Sequence, residues 1–262
     1  MISFRDLSKA LRGLGIERDK PVLVHSSLSS FGEELQGGAQ TVLGALTANF
    51  RSVIAPTFTY RTMVIPQVGP PDNALDYDKG RFTSRRAEIF DPEMPADPLM
   101  GAIPEALRRH PKAKRSLHPI LSFSGVNAAP ALNAQSYTEP LAPIEVMMKA
   151  GGWVLLVGVN HTVNTSIHYA ERLAWRKQFV RWALTQHGVR ECPGFPGCSE
   201  GFEAIAPRLE GVTRTTVVGQ ARLRAVPLED LIEAARAWIL EDPQALLCDR
   251  DFCARCRAVR GL

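Results

Sequence analysis

Long apolar runs are missing from this sequence. No stretch of about eighteen apolar residues occurs, the length a membrane-crossing helix needs. The longest apolar segments, such as Trp153 to Val159, have the length of buried strands. The first fifteen residues carry charges throughout and have no continuous apolar core, so no secretory signal is expected there. No cysteine precedes residue 192. An odd total of five, all in the last third, does not make a secreted disulfide framework. The common nucleotide signatures are absent too: neither G-x-G-x-x-G nor G-x-x-x-x-G-K-[ST] occurs. A G-x-S-x-G elbow is lacking, which argues against a serine hydrolase, and so is H-E-x-x-H, which argues against a zinc protease.

What is present fits a globular domain. Hydrophobic residues make up 45% and charged residues 22%, which disfavours disorder. The 262 residues are enough to bury a sizeable core. The net charge of +4 is spread in small clusters, at Arg85-Arg86, 108–115 and 250–260, rather than in the dense stripe of a nucleic-acid binder. Such a surface suits an anionic small ligand, or is simply a solvated face. The expected location is the cytoplasm, with no membrane and no nucleic acid as partner.

Along the chain, helical and strand patterns alternate. Ser8 to Gly13 reads as the middle of a first helix, Pro21 to His25 as a buried strand, the stretch after Gly37-Gly38 as a helix, and Ser52 to Ala55 as a second strand stopped by Pro56. This is the order of a βαβ unit. Residues 60–97 lack periodicity and read as a long loop-rich excursion. Further helices are expected at 100–109, 128–134, 144–150 and 228–240, with strands at 120–125 and 153–159. A β-rich stretch around Trp182 and a polar tail after the last helix complete the expectation. The fold class is therefore α/β, a mixed and mainly parallel sheet flanked by helices, in one domain over 1–262. Three polar loops follow apolar strands, at 26–30, 57–60 and 160–164. If the strands are parallel neighbours, these loops meet at one edge.

The segment Val154 to Glu171 carries the most chemistry. A strand enters a polar turn, and a helix starts near Asn164 or Thr165, both good N-caps. His168 and Glu171 then stand at i and i+3 on one helical face. A carboxylate beside an imidazole fixes its tautomer, as a general base requires. An ordinary buried His–Glu pair has the same spacing. One His and one Glu are too few for a catalytic metal. His161 and His187 are expected at the surface. Two further clusters, His25-Ser26-Ser27-Leu28 and Arg115-Ser116-Leu117-His118, offer hydroxyls, backbone N–H groups and a guanidinium suited to phosphate, and are solvated loops otherwise. The cysteines 248, 253 and 256 have the C-x4-C-x2-C spacing of part of a metal knuckle. Cys198 could supply a fourth thiolate through a long-range contact, and free structural thiols are the plainer reading.

Read in order, VLVHSSLSSFGEELQGGAQTVLGAL (22–46), APTFTY (55–60), FDPEMPADPLMGAIPEALRRHP (90–111), RSLHPILSFSGVNA (115–128), GGWVLLVGVNHTVNTSIHYAE (151–171) and GCSEGF (197–202) resemble the antibiotic N-acetyltransferase family, typified by aminoglycoside 3-N-acetyltransferases. The resemblance spans nearly the whole chain. It implies an α/β domain distinct from the GNAT acetyltransferases, acetyl-CoA as acyl donor, and an aminoglycoside amine as acceptor, with no metal required. It implies His168 as base and Glu171 as its orienting carboxylate. It assigns His25, Ser26, Ser27, Leu28, Arg115, Ser116 and His118 to CoA. Thr57, Tyr60, Asp76 and Thr165 fall on the acceptor side, with the 60–97 excursion. The partners implied are CoA and a small amine, and a homodimer is left open. One departure stands out. Aminoglycosides are polycations, and this chain is net basic, so a different small amine remains an alternative. A CoA-binding protein without activity and a metal-stabilised interaction domain around the cysteines are the readings from other classes.

Overall fold

The computed structural model describes residues 1–78, 80 and 84–262. Among the described residues there are ten strands and eight α-helices, numbered in chain order. The helices are α1 Phe4–Gly13, α2 Gly38–Asn49, α3 Ala102–Arg108, α4 Ala129–Ala134, α5 Ala142–Lys149, α6 Ser166–Leu173, α7 Leu228–Glu241 and α8 Ala254–Arg260. The strands that matter most are β1 Val22–Ser26, β2 Val53–Pro56, β5 Phe123–Val126 and β6 Trp153–Val157.

The main sheet has the order β4-β5-β2-β1-β6-β10-β9, with β4 at Ala113–Arg115, β9 at Arg214–Val218 and β10 at Ala221–Pro227. Parallel pairing holds at its centre, where β1 lies between β2 and β6. The four outer pairings are antiparallel. A smaller sheet joins β3 (Met63–Val64), β7 (Phe179–Thr185) and β8 (Gly188–Phe195). The α/β class and the mixed sheet agree with the sequence reading.

Side chains alternate across the central strands, and both faces are covered. Val22, Val24, Val53, Leu155 and Val157 pack with α1, α2 and α3 on one side. Leu23, Ile54, Val154 and Leu156 pack with α5, α6, α7 and the small sheet on the other. A parallel strand buried on both faces is apolar at every position, and this is why VLV and VLLV were legible as strands.

Local chemistry sets the ends of the elements. The first helix starts earlier than its apolar pattern, at Phe4, because Ser3 and Asp6 form a capping box: Asp6 N–H donates to Ser3 Oγ at 3.3 Å and Ser3 N–H to the Asp6 carboxylate at 3.0 Å. The expected strand at 120–125 forms only from Phe123. The residues before it are a turn in which the backbone N–H groups of Ile120 and Leu121 donate to His118 Nδ1. The tail after α7 is not merely polar, for it folds into α8. No described helix is long and apolar enough to cross a membrane.

Candidate active site

The strand ends of the parallel trio open into a cleft of about 870 Å³. All three polar loops contribute to it: Ser26 to Ser29 after β1, Phe58 and Tyr60 after β2, and Thr162 and Val163 after β6. The convergence expected from the sequence is therefore present. Leu99 to Ala102 form a second wall, and the segment around Gly197 with Arg255 a third.

His168 lines this cleft from the first turns of α6. It is 7% exposed, and Glu171, one turn on, is 1% exposed. The His168 Nδ1 and Glu171 Oε2 are 2.6 Å apart. An ionised carboxylate can only accept, so Nδ1 carries the proton and donates it, and in the neutral ring Nε2 is the nitrogen that keeps a lone pair. Glu171 is itself held. Arg176 Nη1 donates to Glu171 Oε1 at 2.9 Å, and Arg176 Nη2 donates to the carbonyls of Pro243 and Ala245. The Arg176 backbone N–H also donates to the Glu171 carbonyl, which closes the turn after α6. The Phe202 ring stands edge-on to the imidazole, centroids 4.7 Å apart. The ring is thus fixed through its nitrogen and across its face.

Two more histidines stand near. His25 on β1 lines the cleft, and its Nε2 is buried with no hydrogen-bond partner. Burial, with His161 and His168 adding like charge, holds it neutral, its pKa down at about 3. His161 is buried, against the expectation of a surface position, because it opens a 3-10 turn beneath the β6 loop. Its backbone N–H donates to Glu203 at 2.7 Å, and Glu203 is paired with Arg224 at 2.6 Å. Burial presses its own pKa down to about 4.

The other candidates divide. Ser26, Ser27, Leu28, Tyr60 and Thr165 line the cleft. Burial pushes the Tyr60 phenol up to about 12, so it stays a donor. Arg115, Ser116, His118, Thr57 and Asp76 are not among the residues lining it. Arg115 is committed elsewhere, with Nη2 donating to the Thr57 carbonyl, Nη1 to the carbonyls of Pro92 and Met94, and Nε to Ser122 Oγ. Ser116 Oγ accepts from Phe123 N–H at 2.8 Å. Thr57 Oγ1 is fully buried beside Ser124 Oγ at 2.9 Å. These groups brace the loop after β2 from behind, and Asp76 is exposed. Two partners were invisible in the sequence. Arg176 follows Glu171 by five residues, beyond helical spacing, and Arg255 comes from the far end of the chain.

Residues 23–240 match the family model described as aminoglycoside 3-N-acetyltransferase. Aminoglycoside N(3)-acetyltransferase VII of Streptomyces paromomycinus is 32% identical, over 90% of each chain. Aminoglycoside N(3)-acetyltransferase VIII of Streptomyces fradiae is also 32% identical, over 84% of this chain and 80% of that one. The fold superposes on the crystal structure of the aminoglycoside acetyltransferase AAC(3)-IVa apoenzyme with a TM-score of 0.79, at 24% identity, over 99% of this chain and 97% of that one.

Proposed function

The chain belongs to the aminoglycoside 3-N-acetyltransferase family, and on that premise we propose that it transfers the acetyl group of acetyl-CoA directly to an amine of an aminoglycoside. The observation that supports this reading best is the buried chain Arg176–Glu171–His168, which ends in an imidazole nitrogen at the cleft.

His168 is the proposed general base. As the acceptor nitrogen attacks the thioester carbonyl, Nε2 takes its proton and the C–N bond forms. The tetrahedral intermediate collapses by breaking the C–S bond, and the proton held at Nε2 returns to the departing sulfur. Glu171 keeps the tautomer throughout, and Arg176 holds Glu171 in place. A base held this way supplies a rate factor of roughly 10²–10⁴. Ser26, Ser27 and Leu28 are proposed for the pantetheine arm, and Tyr60 and Thr165 for the acceptor side. Arg115, Ser116, His118 and Thr57 act behind the loop, on its shape. The whole chain acts as one domain, with the 60–97 excursion on the acceptor side. A cytoplasmic location suits its five unpaired cysteines.

A second reading has one specific observation in its favour. Among the described residues lining the cleft, Glu200 is the sole carboxylate, and it is paired with Arg250 at 3.0 Å. A polycation would find little negative charge there, so the same transfer to a less basic amine is the alternative. Release of free CoA thiol, measured against aminoglycosides beside other small amines, separates the two. Saturable release with an aminoglycoside supports the first, and release with other amines alone the second. No release with any acceptor would contradict both.

A further inference from the structure

Four of the five cysteines meet at one point. Cys198 comes from the loop after β8, Cys248 from the segment after α7, and Cys253 and Cys256 from the start of α8. Their sulfurs all lie within 4.8 Å of one another. None is in a disulfide, and the Cys248 and Cys256 sulfurs are 3.5 Å apart, too far for a covalent S–S bond. A tetrahedral zinc ion with Zn–S bonds of about 2.3 Å separates its sulfurs by roughly 3.8 Å, the scale seen here.

The surroundings are those of a knuckle. The backbone N–H groups of Glu200 and Arg250 stand near the sulfurs of Cys198 and Cys248, each two residues after its cysteine. Cys253 is the N-cap of α8, and Cys256 lies one turn on, so C-x2-C puts both sulfurs at one helix start. Cys248 and Cys256 are buried, and Cys198 and Cys253 half-buried. Arg260 donates to the Cys248 carbonyl at 2.8 Å and Arg255 to the Gly197 carbonyl at 3.1 Å, which sets cations beside a group that would carry net negative charge. The hydrophobic cluster here consists of the cysteines with Leu247 and Val259, and Ala258 and Val259 also pack against the main core.

We propose that Cys198, Cys248, Cys253 and Cys256 bind one structural zinc ion. Each thiol loses its proton to solvent as its sulfur bonds the metal, giving a closed tetrathiolate with no open position for substrate or water. Its role is mechanical. Gly197, Ser199 and Glu200, the neighbours of Cys198, line the cleft, and so does Arg255 between Cys253 and Cys256. The ion ties these two pieces, more than fifty residues apart, into a single wall of the site. Cys192, fully buried in β8, takes no part.

Metal analysis of the full chain, purified without chelator, tests this. About one zinc per chain is expected, and cobalt(II) added to metal-free protein is expected to give the intense visible bands and near-ultraviolet thiolate charge transfer of a tetrahedral sulfur site. Cys256→Ser should lose the metal, and Cys192→Ser should keep it. Metal removal should raise hydrogen exchange at 197–200 and 254–260 while the central strands stay protected. Fully reduced wild-type protein that takes up neither zinc nor cobalt would overturn the proposal. So would iron in place of zinc, or a disulfide among the four cysteines in freshly purified protein. The wild-type measurements decide the matter even if the serine variant fails to fold.

Discussion

Arg176 donates to Glu171 at 2.9 Å, with both side chains almost wholly buried, so the carboxylate that orients His168 is itself neutralised from behind. Removing one partner of such a pair strands the other charge in the interior. Arg176→Leu is expected to cost about 3–5 kcal/mol of folding stability, read by urea unfolding. Part of that loss comes from releasing the Pro243 and Ala245 carbonyls. A loss below about 1 kcal/mol, the scale of an exposed pair, would show that Glu171 is not held as described.

Arg115 distinguishes the sequence reading from the structural one. A phosphate-binding arginine would, on mutation, weaken CoA binding and leave the fold intact. A bracing arginine does the reverse. Arg115→Ala is expected to lose at least about 1.5–3 kcal/mol of stability, the scale of a single hydrogen bond to a charged group. The Kd for CoA, measured by calorimetry on the folded fraction, should stay within a few-fold. A large rise in Kd with unchanged stability would restore the phosphate role.

Gly158 ties the β6 loop to the β1 loop. Its φ is +67°, and a Cβ there would stand 1.6 Å from Ser30 Oγ. Ser30 in turn donates to the Ser27 carbonyl at 2.7 Å, which shapes the loop proposed for CoA. Gly158→Ala should therefore lower the thermal midpoint, with a backbone cost of order 1–3 kcal/mol, and raise the KM for acetyl-CoA more than it changes kcat. An unchanged KM would separate this contact from the donor site.

Acid should destabilise the fold through its buried histidines. Burial lowers the pKa of His25 to about 3 and those of His118 and His161 to about 4, from 6.5. Between the unfolded and folded values the unfolded chain binds more protons, so stability falls as pH falls. Their contribution is fully present above about pH 6.5 and is lost as the pH drops towards 4 and 3. The thermal midpoint should fall steeply through that window, and His161→Asn should flatten the slope. A midpoint constant from pH 7 to 4.5 would contradict the burial of these groups.

What the sequence made legible follows from the physics of each element. The central strands stood out because burial on both faces leaves no polar position. The His168–Glu171 pair stood out because one helical turn forces the contact. Strand β9 did not, since its residues are mostly exposed at the sheet edge. The bracing role of Arg115 depends on carbonyls up to 58 residues away, which no local pattern records. The cysteines were intermediate: their local spacing hinted at a cluster, and only the fold brings Cys198 to it.

The most direct test is single-turnover acetyl transfer by His168→Ala beside the parent protein, with CoA binding measured on the same samples. The account predicts a loss of roughly 10²–10⁴-fold in the chemical step, with the Kd for CoA within a few-fold of the parent. An unchanged transfer rate, with CoA still bound, would show that His168 is not the base.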